Sequence, residues 1–202
     1  MAEGGQLIFI SGGVRSGKSS FAEKTAMSLA KSTHGNLHYI ASGVAFDAEM
    51  KDRINRHQVQ RNEGEQQWTT WEEPYFLHKL STAFQSNDIV LFDCLTNLLN
   101  NRLFQTEERL MDPSFHEEIK KSIMDGILTI QKNCHTLIVV SNEILNEPIF
   151  SNDLVLVYAK LLGRLNQQVV STAKEAYLVE AGIPICMKME GDDVAFCNRR
   201  GL

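Results

Sequence analysis

Residues 6–19 read QLIFISGGVRSGKS, a continuous apolar run that breaks into a glycine-rich loop. The run Gln6–Ser11 predicts a short strand covered on both faces, as in a parallel sheet. Gly12-x4-Gly17-Lys18-Ser19 then matches the phosphate-loop pattern, and the context of strand before and helix after gives the match its weight. Successive backbone N–H groups of such a loop curl around phosphate oxygens, which requires glycine where the chain must turn or approach the ligand closely. The following helix N-terminus adds a favourable dipole field. Gly12, Gly13, Val14, Arg15, Ser16, Gly17, Lys18 and Ser19 are therefore the expected nucleotide contacts. Lys18 is expected on the outer phosphates, with the Ser19 hydroxyl on Mg²⁺.

Outward from this loop the chain alternates. A helix from Ser19 to about Lys31 and a strand Leu37–Ala41 complete a βαβ unit. A polar helix is expected from Asp47 to about Glu63, a strand at Trp68–Trp71 and a short amphipathic helix at Tyr75–Phe84. Ile89–Asp93 reads as the next buried strand, followed by a helix through Leu103 and a long helix with Pro113 in its first turn. Leu137–Ser141, a helix Leu154–Lys174, and strands Ala176–Glu180 and Ile183–Met189 follow. This rhythm predicts one α/β domain over residues 1–202, a mostly parallel sheet flanked by helices, with ligands at the carboxyl ends of the strands. Asp93, closing the run Ile89–Phe92, is placed to hold Mg²⁺ directly or through water. The plainer alternative is an acidic residue that marks a strand end.

A net charge of −5 argues against a polybasic nucleic-acid or membrane binder, while leaving room for a local anion site. The four cysteines (Cys94, Cys134, Cys186, Cys197) form no Cys-x-x-Cys pair, which favours reduced thiols over a disulfide framework or zinc site. No apolar run approaches the ~20 residues that span a bilayer, and the N-terminus has no signal-peptide pattern. A cytoplasmic protein is expected.

Arg53, His57 and Arg61 recur at i, i+4 and i+8 and so share one helix stripe. Two guanidiniums can clamp phosphate oxygens, and nearby positive charge favours the neutral imidazole that can act as a nucleophile. On spacing alone a solvated helix face is the plainer reading.

A resemblance changes that weighing. GGVRSGKS at Gly12–Ser19, then Tyr39-Ile40-Ala41-Ser42, then Asp47-x-Glu49-Met50-x-x-Arg53-Ile54-x-x-His57-x-x-x-Arg61 resemble the successive signatures of one family. So do Trp68-x-Thr70-x-Glu72-x-Pro74, Asp93-Cys94-Leu95-Thr96, Ser141-Asn142-Glu143 and Leu162-Gly163-Arg164-Leu165-Asn166-Gln167. The family is the bifunctional adenosylcobinamide kinase/adenosylcobinamide-phosphate guanylyltransferase of cobalamin synthesis. The resemblance implies a RecA-like P-loop fold and a homo-oligomer, a trimer in similar members. It implies phosphorylation of the aminopropanol hydroxyl of adenosylcobinamide with ATP or GTP. Transfer of GMP from GTP to adenosylcobinamide phosphate, through a covalent GMP–histidine, would follow. His57 is the counterpart of that nucleophile. Ala41, Ser42, Gly43, Gln58, Val59, Gln60, Arg61, Glu72 and Asp93 are implied as GTP contacts.

One region departs from the family pattern. Where the family has a glycine-rich turn ending in Val-Pro, this chain reads Ile144-Leu145-Asn146-Glu147-Pro148-Ile149-Phe150. Where the next helix begins with basic residues and an Arg-Asp pair, this chain reads LVLVYAK over 154–160. Drift at a subunit contact and the weakening of one activity are both open there.

Overall fold

The computed structural model describes residues 5–44, 67–143 and 153–190. Seven strands form one sheet: β1 Gln6–Gly12, β2 Leu37–Ala41, β3 Trp68–Glu72, β4 Ile89–Asp93, β5 Thr136–Asn142, β6 Glu175–Glu180 and β7 Ile183–Met189. Their order is β3-β2-β4-β5-β1-β6-β7. Neighbours pair in parallel except β7, which returns antiparallel on β6. Among the described residues four α-helices cover the faces: α1 Lys18–Thr33, α2 Leu95–Leu103, α3 Pro113–Asn133 and α4 Asp153–Thr172.

The unbroken apolar strands are explained by the two faces they serve. Leu7 and Phe9 of β1, Val90 and Phe92 of β4, and Leu137 and Val139 of β5 point into one core, shared with buried residues of α2, α3 and α4. The alternate residues Ile8, Ile10, Ile89, Leu91, Ile138 and Val140 point into the other, against Ala22, Ala26 and Ala30 of α1. Period-two alternation thus gives β1, β4 and β5 two buried faces, and no polar residue interrupts their apolar runs. Each fully buried Ile, Leu or Phe contributes roughly 1.5–3 kcal/mol by leaving water. The alanine stripe brings α1 close to the sheet, and so fixes where the phosphate loop at its N-terminus lies.

Helix ends follow their chemistry. The Asp112 side chain accepts from the Ser114 N–H ahead of Pro113, which opens α3 as anticipated. Arg109 pairs with Asp112 at 2.9 Å and with Glu118 at 3.1 Å. Hydrogen bonds from Ser114 and Arg109 pull the Asp112 carboxyl down to about 2.

The expected helix at Tyr75–Phe84 is a correction: only one 3-10 turn, Leu77–Leu80, forms there. The Glu73 carboxylate accepts from the N–H groups of Tyr75 and Phe76, which holds the chain entering this segment in a turn. Beyond it, Ser81 and Ala83 donate three residues back, to His78 and Leu80. The Gln85 N–H is taken by Asp88 Oδ2 at 2.8 Å. Leu77, Leu80 and Phe84 are still buried, so the apolar spacing reported burial correctly and the helix wrongly. Leu77 sits over Gly126 of α3, where a Cβ would come within 2.7 Å of the Leu77 Cβ.

His38 marks the opposite end of the sheet from the phosphate loop. Its Nδ1 accepts from the Trp71 indole at 3.2 Å, and its Nε2 lies 3.1 Å from Asp88. It is a buried joint between the start of β2, the entry to β4 and Trp71 of β3.

Candidate nucleotide site

The loop between β1 and α1 is clamped from three sides. Glu143, just past β5, donates its N–H to Gly12 O at 2.9 Å. On the β6 side, a Cβ at Gly12 would lie 2.4 Å from Val179 O. At the tip of the β6–β7 turn, Gly182 donates its N–H to Ser16 O at 2.8 Å. Within the loop Ser16 N–H closes on Gly13 O, and Phe21 N–H reaches back to Gly17 O to start α1. Arg15 and Gly17 take left-handed backbone, with φ of 60° and 92°. That alternation turns consecutive N–H groups inward, the geometry of an anion nest.

Lys18 is 6% exposed, and its Nζ donates to Gly13 O at 3.1 Å, so the ammonium is folded over the loop. The Ser16 hydroxyl is buried with no hydrogen-bond partner among the described residues. An orphaned buried hydroxyl costs ~1–3 kcal/mol, and its place in a phosphate loop suits a site completed by ligand. Ser19 is partly buried one residue after Lys18.

A second group of expected residues forms a row. Ala41, Glu72 and Asp93 are direct neighbours in register across β2, β3 and β4, at the carboxyl end of each. Tyr39 donates its hydroxyl to Asp93 Oδ2 at 3.1 Å, which fixes that carboxylate. Ser42 is fully buried: its hydroxyl donates to Cys94 O at 2.7 Å and accepts from Cys94 N at 2.9 Å. Ser42 thus works as a buckle between β2 and β4, and Gly43 follows it. Asn101 of α2 donates to Ser42 O at 2.8 Å and to Pro74 O at 3.0 Å, binding the β2 and β3 exits together.

The two groups converge. Burial, reinforced by the Asp93 charge and opposed by that of Lys18, raises the Cys94 thiol to about 12. α1, which Lys18 opens, packs against β4 in the core that holds Ala22, Ala26, Leu91 and Cys94, although β5 lies between β1 and β4 in the sheet. Cys94, with its thiol held neutral, is packing and not a nucleophile. Cys94 and Cys134 are free thiols, and both are buried.

The segment carrying Arg53, His57, Gln58, Val59, Gln60 and Arg61 lies outside the described residues, as does the divergent stretch 144–152. Among the described residues no cluster of three or more metal-ligating side chains occurs, and no helix is long and apolar enough to cross a membrane. The start of α4 can be read: Val155 and Leu156 are exposed, where the resemblance would have placed basic residues. Asn101 and Asn166 were missed as site-building residues. Asn166 lay within the quoted Leu162–Gln167 signature, but a polar residue inside a helical pattern carries no sign of what it reaches.

A mostly parallel sheet flanked by helices, with a phosphate loop between its β1 strand and α1, defines a P-loop nucleotide-binding protein. Solved structures with a similar outline include the flagellar accessory protein FlaH from Methanocaldococcus jannaschii, at TM-score 0.47 and 15% identity over 92% of this chain and 79% of that one. A KaiC-like protein from Pyrococcus horikoshii matches at TM-score 0.47 and 10% identity over 93% and 81%. The particular family follows from sequence: residues 8–187 match the model of the CobU family, cobinamide kinase / cobinamide phosphate guanyltransferase, and the chain belongs to it. The bifunctional adenosylcobalamin biosynthesis protein CobU of Escherichia coli is 29% identical over 90% of this chain and 99% of its own length. The corresponding CobP of Pseudomonas aeruginosa is 30% identical over 90% and 96%. The chain is thus an enzyme of a kinase and nucleotidyltransferase family.

Proposed function

We propose that this enzyme phosphorylates the aminopropanol hydroxyl of adenosylcobinamide with ATP or GTP, and then transfers GMP from GTP to the resulting phosphate. The observation that carries the reading is the packing of α1, with the phosphate loop at its start, against β4, whose Asp93 ends the Ala41–Glu72–Asp93 row, in a chain of this family. The loop N–H groups from Gly12 to Ser19, with Val14 and Arg15 at the rim, hold the phosphates, and Lys18 swings from Gly13 O onto the outer ones. Ala41, Gly43 and Glu72, with Gln58, Val59, Gln60 and Arg61, complete the GTP contacts, with Ser42 holding their frame.

Ser19 and Asp93 offer a hydroxyl and a carboxylate, the hard oxygen donors that Mg²⁺ takes alongside phosphate. Bound there, Mg²⁺ would neutralise charge on the transferring phosphoryl group. In the kinase step the substrate hydroxyl displaces the nucleoside diphosphate from the γ-phosphorus, and the enzyme supplies mainly alignment and charge. In the second step a His57 ring nitrogen bonds to the α-phosphorus of GTP and pyrophosphate leaves. The phosphate oxygen of adenosylcobinamide phosphate then displaces the imidazole, giving adenosylcobinamide-GDP. Splitting the transfer in two replaces one difficult displacement by two easier ones. Arg61 and Lys18 stabilise the phosphoryl oxygens in flight.

A homo-oligomer, a trimer by family resemblance, belongs to this reading; light scattering of the purified protein tests it. A second reading, retention of one activity only, is favoured by the exposed Val155 and Leu156 in place of basic residues. Assaying the half-reactions separately decides between them. Adenosylcobinamide with ATP or GTP should give the phosphate, and preformed phosphate with GTP should give adenosylcobinamide-GDP and pyrophosphate. Loss of one product alone establishes the narrower reading, and loss of both overturns the proposal.

A further inference from the structure

Three stretches far apart in sequence meet behind the phosphate loop in one hydrogen-bonded chain. The Asn142 N–H donates to Thr96 Oγ1 at 2.8 Å. Thr96 Oγ1 lies 3.4 Å from Ser141 Oγ, and Ser141 Oγ donates to Asn166 Oδ1 at 2.9 Å. Because the Ser141 proton is committed to Asn166, Ser141 can only accept from Thr96, so the chain runs one way and ends on the Asn166 carboxamide oxygen. Thr96 and Ser141 are 8% and 0% exposed, and Tyr158 of α4 adds a bond from its hydroxyl to Thr96 O at 3.0 Å. α2, β5 and α4 are tied at one point.

That point controls the end of β5. In the sheet β5 separates the strand of the phosphate loop from the strand of Asp93, and Asn142 pairs in register with Gly12. The next residue, Glu143, donates its N–H to Gly12 O. Any slackening of the Asn142 backbone therefore passes directly to the first glycine of the loop. Gly12 in turn is wedged against Val179 O and the Ser16 side chain, so a shift there moves the cradle as a body.

We infer that Asn166 is a positioning residue: acting through Ser141 and Thr96, it holds the carboxyl end of β5 and with it the phosphate loop. The kinetic part of this inference rests on the phosphoryl-transfer reading above; the mechanical part does not. The loop N–H groups and Lys18 are still present when the tether is cut, so ground-state nucleotide binding survives. What is lost is alignment in the transition state, and misplacement by about 1 Å can cost ~100-fold in rate.

Two pairs of variants test it. Thr96→Val removes the hydroxyl with little change of shape, and Asn166→Ala removes the terminal acceptor. Thr96→Ser and Asn166→Asp each keep the oxygen. Hydrogen exchange of peptides covering 12–19 and 142–143 is measured beside kcat and KM of the kinase step. Exchange in both peptides should rise about 10-fold in Thr96→Val and Asn166→Ala. In the same variants kcat should fall about 10-fold, with the nucleotide KM within about 3-fold of wild type. Thr96→Ser and Asn166→Asp should recover most of both. A lowered Tm with unchanged exchange at 12–19 overturns the inference, as does equal loss in the oxygen-keeping variants. Should the wild type show no turnover, the proposed activity fails, and exchange alone still decides whether the tether reaches the loop.

Discussion

Gly12 and Gly13 are neighbours in the same motif, yet the structure gives them different burdens. A Cβ on Gly12 would meet Val179 O at 2.4 Å and Ser16 Oγ at 2.5 Å, whereas one on Gly13 meets nothing within 4 Å among the described residues. Gly12→Ala should therefore lower stability by ~2 kcal/mol or more, since backbone must move, while Gly13→Ala should stay within ~0.5 kcal/mol. Thermal melts of the two variants check this, and equal losses would count against the clamp described around Gly12. Sequence could only present them as equivalent letters of a pattern. It did point to Lys18 and Asp93, because a phosphate loop after an apolar strand and an acid at a strand end carry their own chemistry. It gave no hint that the Ser42 hydroxyl is spent on the Cys94 backbone, since that depends on which strands become neighbours.

Among elements, the β6–β7 turn shows how a remote hairpin serves the loop. Gly182 takes φ of 82° while its N–H braces Ser16 O. Gly182→Ala should cost about 1 kcal/mol from the left-handed backbone alone, read as a fall in Tm. The turn after β3 is held by Glu73 instead. Burial opposes ionisation of its carboxyl, but N–H groups of Phe76 and Tyr75 and the Lys79 ammonium outweigh it and hold the group below its ordinary 4.5. A carboxyl depressed on folding contributes stability that is full above the ordinary value and lost as pH falls through the folded one. Glu73→Gln should thus melt lower than wild type at neutral pH, with the gap closing as the pH falls below the ordinary carboxyl range. A gap that stays constant across that range would show the charge plays no part. The same carboxylate explains why the anticipated helix at Tyr75–Phe84 is only a turn. A local side-chain acceptor competes with helical hydrogen bonding, and apolar spacing cannot report that competition.

Over the whole molecule, the alternation of apolar runs and helical stripes made the α/β architecture legible, since two-sided burial of β1, β4 and β5 leaves an unmistakable pattern. Strand order was not legible: that β5 separates β1 from β4 follows from packing that spacing does not encode. Nor was the edge, where β7 leaves Ile183, Ile185 and Met187 exposed on a strand that reads like any other. In the proposed function one phosphate loop serves a kinase step and a guanylyl transfer through His57. The most direct test is incubation with GTP labelled at the α-phosphate, Mg²⁺ and no corrinoid, comparing wild type with His57→Ala. An acid-labile, alkali-stable protein label that disappears in His57→Ala is the result expected. Tight GTP binding by the wild type with no label, or a label that persists in His57→Ala, would contradict the account.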